Sequence, residues 1–169
     1  MNILFLCTGN SCRSIMAEAV FNHLAPSGWK AMSAGSHPAG FVHPLALLLL
    51  ASEGIPTEGL SSKSWTSLPT VPDVVVSVCD NAARESCPVY LGKALKLHWG
   101  VRDPAEAKGS DGQVEAVFRE VYHILRFRIE TFLSLVQAGM DGFPDRLTPL
   151  EKERLERIGI LSPDGKENK

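Results

Sequence analysis

Cys7 and Arg13 bracket the segment Cys7-Thr8-Gly9-Asn10-Ser11-Cys12-Arg13-Ser14, with five residues between them. A loop of small and polar residues at this spacing can curl until successive backbone N–H groups point inward, forming a cup for a tetrahedral oxyanion. A helix starting at its far end adds a positive terminus. Gly9 and Asn10 are residue types that tolerate the positive φ such a curl demands. Arg13 brings a planar fork able to grip two oxygens at once. The same donors favour the thiolate of Cys7, the nucleophilic form of cysteine, and Ser14 can donate a further hydrogen bond to that sulfur. Oxyanion contacts are therefore expected from Thr8, Gly9, Asn10, Ser11, Cys12, Arg13 and Ser14, with Cys12 in a supporting or redox-backup part. The inert alternative is a buried strand-end cysteine beside a surface arginine. A strand before the loop, a helix after it and a glycine inside it favour the cup.

Three further residues bear on what the cup does. Asp103, in His98-Trp99-Gly100-Val101-Arg102-Asp103-Pro104-Ala105, follows a strand end on a loop stiffened by proline, and a carboxyl there can act as general acid above the cup. An ordinary turn aspartate is the competing reading. His98 and Trp99 are expected to pack or to shape the loop. Cys79 and Cys87 are separated by a short polar stretch, Asp80 to Ser86. Both could be inert small hydrophobes, but Cys87 between Ser86 and Pro88 fits that description poorly. The cysteine spacings lack the Cys-x2-Cys knuckle typical of tetrahedral zinc, so no metal and no cofactor are expected.

These residues need a framework that gathers them. Asn2 to Leu6, Trp29 to Ala34, Asp73 to Cys79 and Ala94 to Trp99 read as strands. Helical spacing runs from Ile15 to Leu24, His43 to Glu53 and Gln113 to Ala138. Thr148-Pro149-Leu150-Glu151 is a capping box that starts a short charged helix ending near Gly159, and Ser162 to Lys169 reads as a frayed tail. Strands alternating with helices predict a parallel α/β sheet with its site at the carboxyl strand ends, where Cys7, Cys79 and Trp99 fall. The 169 residues suit one domain. The net charge of −2 gives no global case for nucleic acid or an anionic membrane. The apolar run Leu45 to Ala51 is too short to span a bilayer, and the N-terminus lacks a basic region and cleavage site. A cytoplasmic monomer is expected.

The segment CTGNSCRS resembles the low-molecular-weight tyrosine phosphatase superfamily, which holds phosphate-ester hydrolysis and arsenate reduction on one cradle. The resemblance implies a three-layer α/β fold: a four-stranded parallel sheet flanked by helices, with an additional C-terminal helix in this chain. Residues 1–140 would form the phosphatase-like domain, and 141–169 a helical extension packed on it. With HWGxxDPA downstream, the pattern is similar to the thioredoxin-coupled arsenate reductases of bacteria. There the counterparts of Cys7, Cys79 and Cys87 form a thiol relay, although well-known members have the second pair one residue closer. The expectation is therefore an arsenate reductase, with arsenate as substrate, phosphate or sulfate as analogue, and thioredoxin as donor. Arg13 and Asp103 complete its catalytic set. The resemblance also places a potassium site at Asn10, Glu18 and Ser33. Lys63 stands where an acidic ligand would be, so no required potassium is expected. A phosphatase with Cys79 and Cys87 as bystanders is the alternative, and a non-enzymatic oxyanion or redox sensor the second one.

Overall fold

A computed structural model describes residues 1–79, 92–140 and 142–165. Cys87, the segment around it and the last four residues lie outside the described residues. Among the described ones, one sheet contains β1 (Asn2–Leu6), β2 (Lys30–Ala34), β3 (Val74–Ser77) and β4 (Leu95–His98), in the order β2-β1-β3-β4. Every pairing is parallel. The α-helices among the described residues are α1 (Arg13–Leu24), α2 (Pro44–Ser52), α3 (Asp111–Gln137) and α4 (Pro149–Arg157). None is long and apolar enough to cross a membrane.

Successive side chains of a strand face opposite sides of the sheet. All residues of Ile3–Leu6 and Val74–Ser77 are buried, so helices and loops cover both faces of the two central strands, as an apolar parallel sheet requires. β4 is one of the two edge strands, and its burial alternates. Phe5 of β1, Phe21 of α1, Phe132 of α3 and Trp99 interlock with ring centroids 5.8 to 6.4 Å apart. Trp99 is thus a packing residue, as its sequence context implied.

The chain reverses direction across the sheet at β1: β2 lies on one side of it and β3 on the other. Such a switch opens a crevice beyond the carboxyl end of β1. The register aligns Leu6 with Ala34 and with Ser77, and Ser77 with His98. The residues that follow each of these therefore emerge on one rim.

Element ends differ from the expected ones in informative ways. β3 closes at Ser77 rather than Cys79, because its partner β1 has already turned into the loop; Val78 N–H still reaches Leu6 O at 2.8 Å. β4 ends at His98 for the same reason, and β2 opens at Lys30. α1 begins at Arg13, directly on the loop. α3 begins at Asp111 behind a capping box between Ser110 and Gln113. α4 ends at Arg157 and tightens into a 3-10 turn, Ile158–Ile160. Ser162, expected to open a frayed tail, is instead buried.

Candidate active site

The loop from Cys7 to Cys12 hangs between β1 and α1, and its carbonyls show which way it faces. Thr8 O accepts from His37 N–H at 3.0 Å, Gly9 O from Ala39 N–H at 2.8 Å and Ser11 O from His43 N–H at 3.0 Å. In a trans peptide the C=O of one residue and the N–H of the next point in opposite directions. The amides of Gly9, Asn10 and Cys12 are therefore turned away from the 37–43 segment, toward the inside of the loop. Asn10 N–H illustrates the consequence, since it reaches Cys7 Sγ at 3.2 Å. Cys12, the residue before α1, makes no side-chain cap, so the first amides of the helix keep their donors for a guest.

Asn10 is the pivot. It alone among the described non-glycine residues has a positive φ, 42°. Gly9, expected to share that conformation, does not. Asn10 tolerates the left-handed region because its short amide bonds locally. Its Nδ2 donates to Ser14 Oγ and to Ser33 Oγ, both at 2.9 Å, and its Oδ1 accepts from Lys63 N–H at 2.7 Å. The residue is fully buried. With its oxygen occupied by the Asn10 amide, Ser14 keeps its own hydrogen for Cys7 Sγ, 2.9 Å away. Gly35 lets the loop sit this close to β2: a Cβ there would overlap Thr8 O and come within 3.0 Å of Cys7 O.

The residues proposed for a cation form a closed set. Ser33 Oγ donates to Glu18 Oε2 at 2.5 Å, and Lys63 Nζ lies 3.5 Å from the same oxygen. An ammonium thus stands beside Glu18 where the resemblance places an ion.

Arg13 is anchored on the far side of the loop. Its Nη1 donates to Val101 O at 3.1 Å and its Nη2 to Asp103 Oδ2 at 2.6 Å. The other carboxylate oxygen of Asp103 accepts from Ala105 N–H at 3.0 Å and so caps the turn Pro104–Glu106. Asp103 therefore faces the cup through Arg13, about 90 residues away in sequence. His98 lies outside this arrangement, its Nδ1 2.8 Å from Ser77 Oγ.

Three cysteines line this region, all buried. Cys79 Sγ lies 3.7 Å from the hydroxyl of Thr8, the neighbour of Cys7. Burial, reinforced by the Asp103 charge, pushes the Cys12 thiol from its ordinary value near 9.0 up to about 12. Cys12 is thereby a neutral thiol at neutral pH.

Sequence reading missed the 37–43 segment, the pivot role of Asn10 and the tether between Arg13 and Val101. Only Asn10 carried a local signal, as a left-handed residue type inside a tight loop. The others depend on contacts between distant segments.

Residues 2–141 match the family described as low molecular weight phosphotyrosine protein phosphatase. An arsenate reductase of Halalkalibacterium halodurans is 40% identical over 131 residues, covering 77% of this chain and 93% of that protein. The crystal structure of an arsenate reductase from Archaeoglobus fulgidus is similar with a TM-score of 0.60 and 28% identity, over 76% of this chain and 98% of the other. A thioredoxin-dependent arsenate reductase of Corynebacterium glutamicum gives a TM-score of 0.58 and 26% identity, over 82% and 63% respectively.

Proposed function

Since the chain belongs to the low-molecular-weight phosphotyrosine protein phosphatase family, we propose that it applies that family's cup to redox chemistry, as an arsenate reductase regenerated by thioredoxin. The observation that carries this reading is the second thiol at the cup: Cys79 Sγ beside Thr8, the residue that follows Cys7. Hydrolysis of a cysteinyl ester needs water alone, whereas reduction of arsenic needs a second sulfur within reach of the first. The 40% identity to a protein named arsenate reductase supports the same reading.

In the proposed reaction, arsenate lies against the inward amides of the loop and the Arg13 guanidinium. The Cys7 thiolate attacks arsenic while Asp103, which takes up a proton together with the arriving oxyanion, passes it to the departing oxygen, which leaves as water. Ser14 and Asn10 N–H hold the sulfur in line. The Cys79 thiolate then attacks Cys7 Sγ. The sulfur–arsenic bond breaks with its electron pair remaining on arsenic, so As(V) becomes As(III), arsenite departs and a Cys7–Cys79 disulfide forms. Cys87 attacks Cys79, releases the Cys7 thiolate and leaves a Cys79–Cys87 disulfide. Thioredoxin's dithiol reduces that bond by exchange and is itself oxidised.

The test is NADPH oxidation by thioredoxin reductase, thioredoxin and this protein, started with arsenate. Arsenate-dependent consumption is the expected result. Its absence, alongside brisk hydrolysis of p-nitrophenyl phosphate, would replace the reductase with a phosphatase.

A further inference from the structure

The loop that carries Asp103 is gripped by two arginines, and only one of them belongs to the cup. Arg13 holds Val101 O. Its immediate neighbour, Gly100 O, accepts from Nη1 of Arg128 at 3.2 Å. Arg128 comes from the middle of α3 and is fully buried. Its Nε donates to Leu161 O at 2.9 Å, while Nη2 has no hydrogen-bond partner among the described residues. No described carboxylate pairs with it, and burial lowers its pKa to about 10, so it stays cationic at neutral pH. A buried guanidinium without a counter-charge is a costly way to fill a core. What it does here is join two backbone segments, the acid loop and the chain beyond α4.

That second segment lies past residue 141, where the family match ends. It is nevertheless tightly seated. Leu155 and Ile158 are fully buried. At Gly159 a Cβ would overlap His98 O and come within 3.3 Å of Trp99. The extension thus presses on the residues that lead into Gly100, while Arg128 ties its far end to Gly100 itself.

We propose that Arg128 and the C-terminal segment Ile158–Leu161 position the general-acid loop, so that the additional helix of this chain acts on catalysis through Asp103. Arg128 touches no reacting atom and is a positioning residue. The proposal rests on the reading of Asp103 as the acid, and its test has an arm that does not depend on turnover.

Arg128→Met keeps an unbranched apolar stem in place of the arginine's methylene chain but removes both hydrogen bonds. Arsenate turnover is expected to fall about 10- to 100-fold in kcat, with phosphate affinity within twofold of the unaltered protein. In an Asp103→Asn background the same change should lower kcat by less than twofold, because the group being positioned is already gone. Equal factors in both backgrounds would overturn the proposal. Amide hydrogen exchange supplies the independent arm. Val101 and Ala105, whose amides bond Val78 O and Asp103 Oδ1, should exchange at least tenfold faster in Arg128→Met, while the amides of β1 and β3 do not change. Unchanged exchange at Val101 and Ala105, or acceleration throughout the sheet, would overturn it too. Should Arg128→Met fail to fold, Gly159→Ala is read by both measurements with the same expectations, since it displaces the extension from His98 and leaves α3 intact. A protein inactive toward arsenate yet showing the localised exchange would refute the reductase and keep the positioning device.

Discussion

Replacing Asp103 by asparagine separates binding from chemistry, with opposite signs. In the unliganded protein the Asp103 carboxylate sits 2.6 Å from Arg13 Nη2, with side-chain exposures of 29% and 12%. An arriving oxyanion must share that guanidinium and also approach a negative carboxylate. For a pair near the surface the bare attraction is of order 4 kcal/mol at an effective dielectric of about 20. Desolvation and solvent screening reduce the net value to about 1–2 kcal/mol at this partial exposure. Freed of its competitor, Arg13 should bind phosphate roughly 5- to 30-fold more tightly in Asp103→Asn. The chemical step should meanwhile slow by about 10²- to 10⁴-fold, the usual effect of removing a general acid. Phosphate titration by calorimetry reads the first quantity, and thioredoxin-coupled arsenate turnover the second. Weaker phosphate binding in the variant would show that the carboxylate supports the cup instead of competing for it. Turnover within threefold of the unaltered protein would remove Asp103 from the mechanism.

Three further outcomes follow from the same geometry. Cys87→Ser should release one equivalent of arsenite per protein and then stop, whereas Cys7→Ser should release none; sustained thioredoxin-driven turnover by Cys87→Ser would sink the relay. The unfolded chain ionises Cys12 near pH 9, while the folded protein keeps it protonated to about 12. Its contribution to stability is thus complete below pH 9 and is lost as the pH rises toward 12, a slope in urea midpoints that Cys12→Ala should flatten. Gly35→Ala drives a methyl group into Thr8 O, a backbone atom with little room to yield. It should destabilise the fold by about 1–3 kcal/mol and weaken phosphate binding more than tenfold; unaltered affinity in a calorimetric titration would mean that the loop does not need this close approach.

Local chemistry made the frame of this molecule legible in its sequence. A valine run that could only be covered on both faces identified β3. The Thr148–Glu151 capping box located the start of α4, where both reciprocal bonds form. The comparable box of Ser110 and Gln113 was present too, but Gly112 in the first turn masked it and the helix was expected to begin two residues late. Long-range polar contacts were not legible. The Lys63 amide meets Asn10 from 53 positions away, and no spacing rule encodes that. Arg128 lies between these cases. It stands three residues after Leu125 and four before Phe132, squarely on the apolar stripe of α3, yet arginine is read by habit as a solvent-facing residue. A charge on the buried face of a long amphipathic helix was the available signal.

The outward carbonyls of the cup carry a consequence for how such a site diverges. Because His37, Ala39 and His43 hold the loop open from outside, its shape is fixed when the chain folds, and little ordering entropy falls on the binding step. The cup is accordingly indifferent to what happens after the oxyanion docks. Water, a thiol or nothing at all can supply the second half-reaction, and each would leave the mould unchanged. On the proposed relay, hydrolysis is traded for electron transfer by editing residues at the rim, such as Cys79, without re-engineering the loop itself. A rigid mould with an interchangeable rim would let one small scaffold serve ester cleavage in one lineage and arsenic chemistry in another.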